Sequence, residues 1–275
     1  MKFTDIDWEN IWQDTMGWNN VDADGRKFND AVERDFWIKL APRYTKEYNL
    51  NNDTDLIAAR LAEILGSGKK ILEIGCGSGN FTVLMAKYSK EILGLDFSQA
   101  MLNELHKRLT QEDIENVRLQ NGKWEDFETE EKFDYVVSVN SLYRICDMPA
   151  ALAKINQYGE KGFVIIRTIQ RPFFFALYNK LGIACDECVD YQLLPMMLWQ
   201  QGLHANVEFL NYSKSKLFNN AQEVMNEMRN DLGEKKFIVY RQMLEASVKT
   251  TGKEIDGGML FEMPRTTVII SVKKE

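Results

Sequence analysis

The stretch that most restricts the fold is Ile71 to Asn80, ILEIGCGSGN. An apolar run carrying an acid at Glu73 gives way to glycines at positions 75, 77 and 79, and a helix-like run follows. Glycines at this spacing let the chain turn tightly and let a ligand lie against the backbone. The N–H groups at the start of the following helix are expected to face that ligand. Such a loop suits the junction between a strand and a helix, so the flanking chain should alternate between the two. It does. TDLIAARLAEIL reads as helix, KKILEIG as strand, FTVLMAKYS as helix, EILGLD as strand and SQAMLNELHKRL as helix. NVRLQN and FDYVVSVN read as two more strands, MPAALAKINQYG as helix and GFVIIRTI as a fifth strand. This alternation predicts a parallel sheet with helices on both faces.

The pattern loosens beyond residue 170. RPFFFALYNKLGI and YQLLPMMLWQQGL read as aromatic and Met-rich helices, and NVEFLNYSKSKLF as a sixth strand. Two polar helical runs, AQEVMNEMRNDL and KKFIVYRQMLEASV, precede a closing strand, TTVIISVKK. The expected fold class is therefore α/β, a doubly wound, mostly parallel seven-stranded sheet with a helical insertion between the last two strands. Residues 1–53 are expected to form a helical N-terminal arm or lid. The run NDAVERDFWIKLAPRYTKEYN within it is read as interrupted at Pro42. Residues 54–275 are expected to form the main domain, with insertions at about 171–205 and 219–250 serving a second substrate.

Composition excludes several classes. With 34 Lys and Arg against 41 Asp and Glu, the 275-residue chain has a net charge of -7 and no basic stripe, which disfavours a nucleic-acid partner. No apolar run is long enough to span a bilayer, and the acidic, aromatic start is unlike a signal peptide. The expectation is no membrane partner and a cytoplasmic address. Cys76, Cys146, Cys185 and Cys188 are too sparse for a disulfide framework. The C-x-x-C pair at 185 and 188 has no second pair and no histidine at ligand spacing, so no metal is expected.

The second strand, EILGLD, ends at Asp96. In a doubly wound fold an acid there reaches the two ribose hydroxyls of an adenosine, a geometrically selective contact. The alternative is a helix cap, although Ser98 is equally able to fill that role. Glu73, two residues ahead of the first glycine, would repel a pyrophosphate and attract an amine. This separates the loop from a dinucleotide site.

Taken together, ILEIGCGSGN, GLDFSQAML, NGKWEDF and FDYVVSVNSLYRI resemble the successive motifs of class I S-adenosylmethionine-dependent methyltransferases, over roughly residues 54 to 168. The resemblance implies a Rossmann-like fold, S-adenosylmethionine as cofactor and methyl transfer to a small-molecule acceptor. Gly75, Cys76 and Gly77 would line the methionine part, Glu73 would anchor the loop and the amino group, and Asp96 would hold the ribose. Phe97 and Met101 would flank the adenine. The family usually has an acid directly after the glycine of NGKWEDF, where this chain has Lys123. The adenine edge then falls to the backbone at Trp124 and to Glu125. Asn140 and Ser141 correspond to the place where cofactor and acceptor meet, against the plainer reading of a polar strand end facing water. In DFWIKLAPRYTKEY, Tyr44 matches a tyrosine that lies beside the cofactor's methionine end in related enzymes, with Trp37 and Arg43 nearby.

Methyl transfer from a sulfonium is an in-line displacement, so a general base matters only for an acceptor that arrives protonated. Tyr143, His204 and Tyr178 are the candidates. RPFFFALY and LLPMMLW are expected either to wall an apolar acceptor site or simply to pack as core. VNSLYR lacks the Asn-Pro-Pro-Tyr or Asp-Pro-Pro-Tyr pattern of the branch that methylates adenine bases and amides. Two rival functions stand beside the main one: metalloid methylation on Cys146, Cys185 and Cys188, and a protein that holds the cofactor without turnover.

Overall fold

The structure, a computed structural model, describes residues 2–19, 25–48, 53–185 and 188–274. Five strands, β1 (Lys70–Ile74), β2 (Glu91–Asp96), β3 (Val117–Asn121), β4 (Phe133–Val139) and β5 (Gly159–Thr168), run parallel. β6 (Asn206–Phe218) and the last strand, β8 (Gly258–Lys273), complete a sheet of order β3-β2-β1-β4-β5-β8-β6, and the short β7 (Lys253–Ile255) pairs with β8. β8 lies antiparallel to β5. The doubly wound, mostly parallel seven-stranded sheet read from the sequence is present, with β7 as an addition.

The strands are apolar on both faces because both faces are covered. Ile71, Ile92, Val137, Val164, Ile166 and Ile269 pack in one cluster with Ile57, Leu61 and Leu65 of α4 (Asp53–Leu65) and Met85 of α5 (Thr82–Ala86). The alternate positions Leu72, Leu93, Val136, Phe163 and Ile165 are equally buried and point the other way. α6 (Gln99–Gln111) buries Leu102, Leu105 and Leu109 against Cys76 and Val83. α7 (Met148–Tyr158) starts at a cap in which Asp147 accepts from the Ala150 N–H, and it packs on β4 and β5. α9 (Asp190–Gln200) is tied to β5 by a buried pair, Arg167 Nε donating to Asp190 at 2.8 Å. The sheet winds outward through β2 and β3, then returns to place β4 on the other side of β1. The carboxyl ends of β1 and β4 therefore diverge at the switch point, where an open α/β sheet leaves a crevice.

The N-terminal segment forms α1 (Trp8–Thr15), α2 (Gly25–Phe28) and α3 (Asp30–Tyr48). Trp12 is buried and its indole N–H donates to the Ile145 carbonyl at 2.7 Å, fastening α1 to the loop after β4. The expected break at Pro42 does not occur, for α3 continues through it. Proline removes the bond to the carbonyl of residue 38, and Ile38 and Pro42 both lie on the exposed side, where water can take over that carbonyl. Asn49 to Asn52 lie outside the described residues.

The chain divides into two compact units. The first holds residues 1–168, 189–210 and 267–275, and the second holds 169–188 and 211–266. The second unit contains α8 (Phe175–Lys180), α10 (Ala221–Thr251), β7 and the adjoining parts of β6 and β8. Its core is Phe173, Phe174, Phe218, Met228, Phe237 and Phe261 with their neighbours, and Tyr178 donates to Asp231 at 2.9 Å. The two polar helical runs are one helix, α10, bent at Gly233, whose φ of 74° only glycine adopts without strain.

Replacing Trp12 tests the anchoring of the arm. Trp12→Ala empties a buried ring site and strands the Ile145 carbonyl, so urea denaturation should show a loss of about 3–5 kcal/mol. A loss below about 1 kcal/mol would mean that α1 contributes little to the fold.

Candidate active site

The loop after β1 closes on the protein itself. Gly75 and Cys76 both donate to the Leu95 carbonyl, at 2.7 and 3.2 Å, and Gly79 donates to Cys76 at 3.0 Å. The Gly77 N–H donates to Asp96 Oδ2 at 2.8 Å, and the Ser98 N–H donates to Oδ1 at 2.8 Å. The Gly77 and Ser98 N–H groups thus orient the protein's own acid. Gly75 has a φ of 70°, and a Cβ there would sit 2.1 Å from Ser141 Cβ. The glycine is thus required for β4 to approach, beyond any ligand contact. Ser98, not Asp96, caps α6. Asp96 is left with lone pairs on both oxygens, fixed at the end of β2.

Glu73 is buried and accepts from the Thr82 hydroxyl at 2.6 Å. Burial, with a smaller contribution from the Asp96 charge, pushes its carboxyl up to about 8. Burial also raises Asp96, against the two N–H bonds that favour its charge. The Cys76 thiol is pushed up by burial as well, which keeps it protonated at neutral pH.

A cavity of about 530 Å³ collects these groups. Its wall includes Glu73, Gly75, Cys76, Gly77, Asp96, Phe97, Met101, Trp124, Glu125, Asn140, Ser141, Tyr143 and Tyr44, so these sequence-derived residues converge. His204 lies in the loop before β6 and is not among the lining residues, and Tyr178 is bound to Asp231 in the second unit's core. Asn140 and Ser141 do not simply face water. Asn140 adopts φ 55°, accepts from the Thr168 N–H at 2.8 Å and donates to the Thr168 hydroxyl. Ser141 donates to the Ile74 carbonyl at 2.7 Å. The two side chains thus lash β4 to β5 and β1.

Of the two readings of the aromatic stretches, the structure shows packing as core. Phe173, Phe174 and Leu177 belong to the second unit's core, and Leu194, Met197 and Leu198 are fully buried. None of them lines the cavity. Trp18, Phe28 and Trp37 of the N-terminal segment line it instead. Trp37 meets Tyr44 edge-on, with ring centres 5.5 Å apart. The Tyr44 hydroxyl is raised by burial and by the Asp96 charge. The Arg43 side chain lies outside the described residues.

Behind this wall is a residue the sequence reading missed. Glu33 of α3 is fully buried and accepts from Arg26 Nε at 2.6 Å, Trp37 Nε1 at 2.8 Å and the Tyr143 hydroxyl at 2.5 Å. Burial and the Glu33 carboxylate raise Tyr143, so it stays a phenol at neutral pH. The available signal was an acid flanked by Val32 and Phe36 on a helix. That signal is weak, because helices carry such acids on solvated faces.

The methyltransferase-domain family profile matches residues 65–229. The chain belongs to the class I S-adenosylmethionine-dependent methyltransferases. Their cofactor suits the site, because a buried Glu73, with no cation beside it among the described residues, and a fixed Asp96 match an amine and a ribose diol. The chain is 34% identical over 104 residues to a demethylmenaquinone methyltransferase of Staphylococcus saprophyticus, covering 36% of this chain and 44% of that protein. It is 31% identical over 118 residues to a ubiquinone biosynthesis O-methyltransferase of Acinetobacter baylyi, covering 40% and 49%. The matches thus span about half the length of these relatives. The YcgJ protein of Bacillus subtilis shares the fold, with a TM-score of 0.50 and 14% identity over 79% of this chain and 98% of that one.

Among the described residues no helix is long and apolar enough to cross a membrane, and no group of three or more His, Cys, Asp or Glu is placed to hold a metal. None of the four cysteines is in a disulfide.

The raised Glu73 predicts a proton linkage. The free protein carries a proton on Glu73 below pH 8, and a cationic amine favours the charged form, so binding S-adenosylhomocysteine should release protons between about pH 5 and 8. Calorimetry in buffers of different ionisation enthalpy reads this directly. Release should vanish in Glu73→Gln, and none in the native protein would show that Glu73 keeps its proton when ligand binds.

Proposed function

We propose that this methyltransferase acts on a small, flat, hydroxyl-bearing acceptor held in the same cavity as the cofactor. The observation that carries this reading is the shared wall: the acids Glu73 and Asp96 and the rings of Trp18, Phe28, Trp37 and Tyr143 line one space. Aromatic walls suit a flat apolar ring, and few polar groups are needed to orient it. The named activities of the two quinone-related relatives agree with such an acceptor.

In this reading Asp96 accepts from both ribose hydroxyls and Glu73 faces the amino group. Gly75, Cys76 and Gly77 present backbone to the methionine chain, with Tyr44 closing over it. Phe97, Met101, Trp124 and Glu125 surround the base. Asn140 and Ser141 set the edge where cofactor and acceptor meet. When bound, S-adenosylmethionine supplies a methyl group on a sulfonium, open to in-line attack. Tyr143 donates to Glu33, which leaves its oxygen lone pairs to accept from an acceptor hydroxyl and to aim that oxygen. The helices of the N-terminal segment exclude water from the attack line, which would otherwise solvate the nucleophile.

A panel of catechols, hydroquinones, aliphatic alcohols and amines separates the possibilities. Turnover should be confined to the hydroxylated rings. Tyr143→Phe should lower kcat/KM about tenfold or more, a loss of about 1.4 kcal/mol in transition-state stabilisation, while affinity for S-adenosylhomocysteine stays within about threefold. Turnover of an aliphatic amine in preference to every phenol would overturn the acceptor class.

A further inference from the structure

Asp30 opens α3, held by the Asn29 side chain, which accepts from the Ala31 and Val32 N–H groups at 3.0 and 3.3 Å. Its carboxylate lines the cavity. The Lys123 ammonium binds one oxygen and Arg144 Nη2 binds the other at 2.9 Å. The two cations come from the chain on either side of the cavity, after β3 and after β4. Lys123 follows Gly122, whose N–H donates to the Asp96 carbonyl at 3.0 Å, and the Arg144 guanidinium carbon stands 5.2 Å from the centre of the Phe97 ring. Phe97 directly follows Asp96 along the chain. The carboxylate is thus pinned beside the ring adjoining the ribose-binding acid.

The Lys123 contact first, and the Arg144 contact after it, hold Asp30 below the usual carboxylate range, so it only accepts hydrogen bonds. Each oxygen spends one lone pair on a cation and keeps another. The matching ligand group is a neutral N–H donor on the edge of a flat ring, in the cavity that Asp30 shares with Asp96 and Phe97. Among the described lining residues, the carboxylate on the loop after β3 is Glu125, which is exposed. Its backbone carbonyl is taken by Lys154, which also takes that of Trp124.

We propose that Asp30 accepts a hydrogen bond from the exocyclic amine of adenine, so that the N-terminal helix, not the loop after β3, reads the base. The inference rests on the cofactor placement given under the proposed function. Lys123 then aims the carboxylate. A 6-oxo purine would turn a carbonyl lone pair toward Asp30 and be rejected, because the bound base covers this half-buried carboxylate and an acceptor facing an acceptor leaves both unpaired. Cofactor affinity and the seating of α3 become linked, since the helix carries the contact.

The test is calorimetric titration of the full chain with S-adenosylhomocysteine and S-inosylhomocysteine. The native protein should prefer the adenosine compound by about thirtyfold or more, and Asp30→Ala should reduce that preference to within about threefold. A purely structural Asp30 would weaken both ligands together and leave the preference intact, which would overturn the inference. Asp96→Ala serves as the control. It should weaken both compounds equally, and unchanged affinity in that variant would overturn the cofactor placement and this inference with it.

Discussion

The site depends on the absence of a side chain at residue 75. A Cβ there would overlap Ser141, and the backbone turns through a φ of 70° that other residues resist. Because the turn is possible, the loop folds back to the Leu95 carbonyl and ties the end of β1 to β2. Ser141 in turn reaches the Ile74 carbonyl and ties β4 to β1. Three strand ends are thereby fixed around one crevice, and the Gly77 N–H that remains is spent on orienting Asp96. The glycine loop is first a joint between strands, and the proposed cofactor surface depends on that joint holding its shape.

Electrostatics divides the cavity's acids into two kinds. Asp30 and Glu33 carry their own cations: Lys123 and Arg144 for the first, Arg26 for the second. Among the described residues, Glu73 and Asp96 are held by a hydroxyl and two N–H groups, and burial raises both. An uncompensated buried acid is costly unless a ligand brings positive charge. A sulfonium and an ammonium do so, whereas a pyrophosphate would add to the cost. In a chain with a net charge of -7 this local imbalance selects the ligand more sharply than the overall charge does.

The strands from β1 to β5 were legible because a sheet buried on both faces demands continuous apolar runs, and the Glu73, Gly75 and Asp96 spacing follows from loop geometry. The β7–β8 hairpin was missed although Asp256-Gly257 is a strong turn signal between paired residues Ile255 and Gly258. Only TTVIISVKK had been read as strand there, since GMLFEM lacks clean alternation. The aromatic stretches at 173–178 and 194–199 could not be assigned from periodicity, because a core helix and a ligand wall share composition. Asp30 and Glu33 were invisible for a related reason. The partners of Asp30 at Lys123 and Arg144, and that of Glu33 at Tyr143, lie roughly 90 to 115 residues away in sequence, and no local pattern announces such pairs.

A crystal structure grown with S-adenosylhomocysteine tests the central claim most directly. The account predicts density in the cavity with both ribose hydroxyls on Asp96, the amino group toward Glu73 and the adenine edge at Asp30, beneath Trp37 and Tyr44. Density at another place in the chain, or a ribose turned away from Asp96, would contradict it.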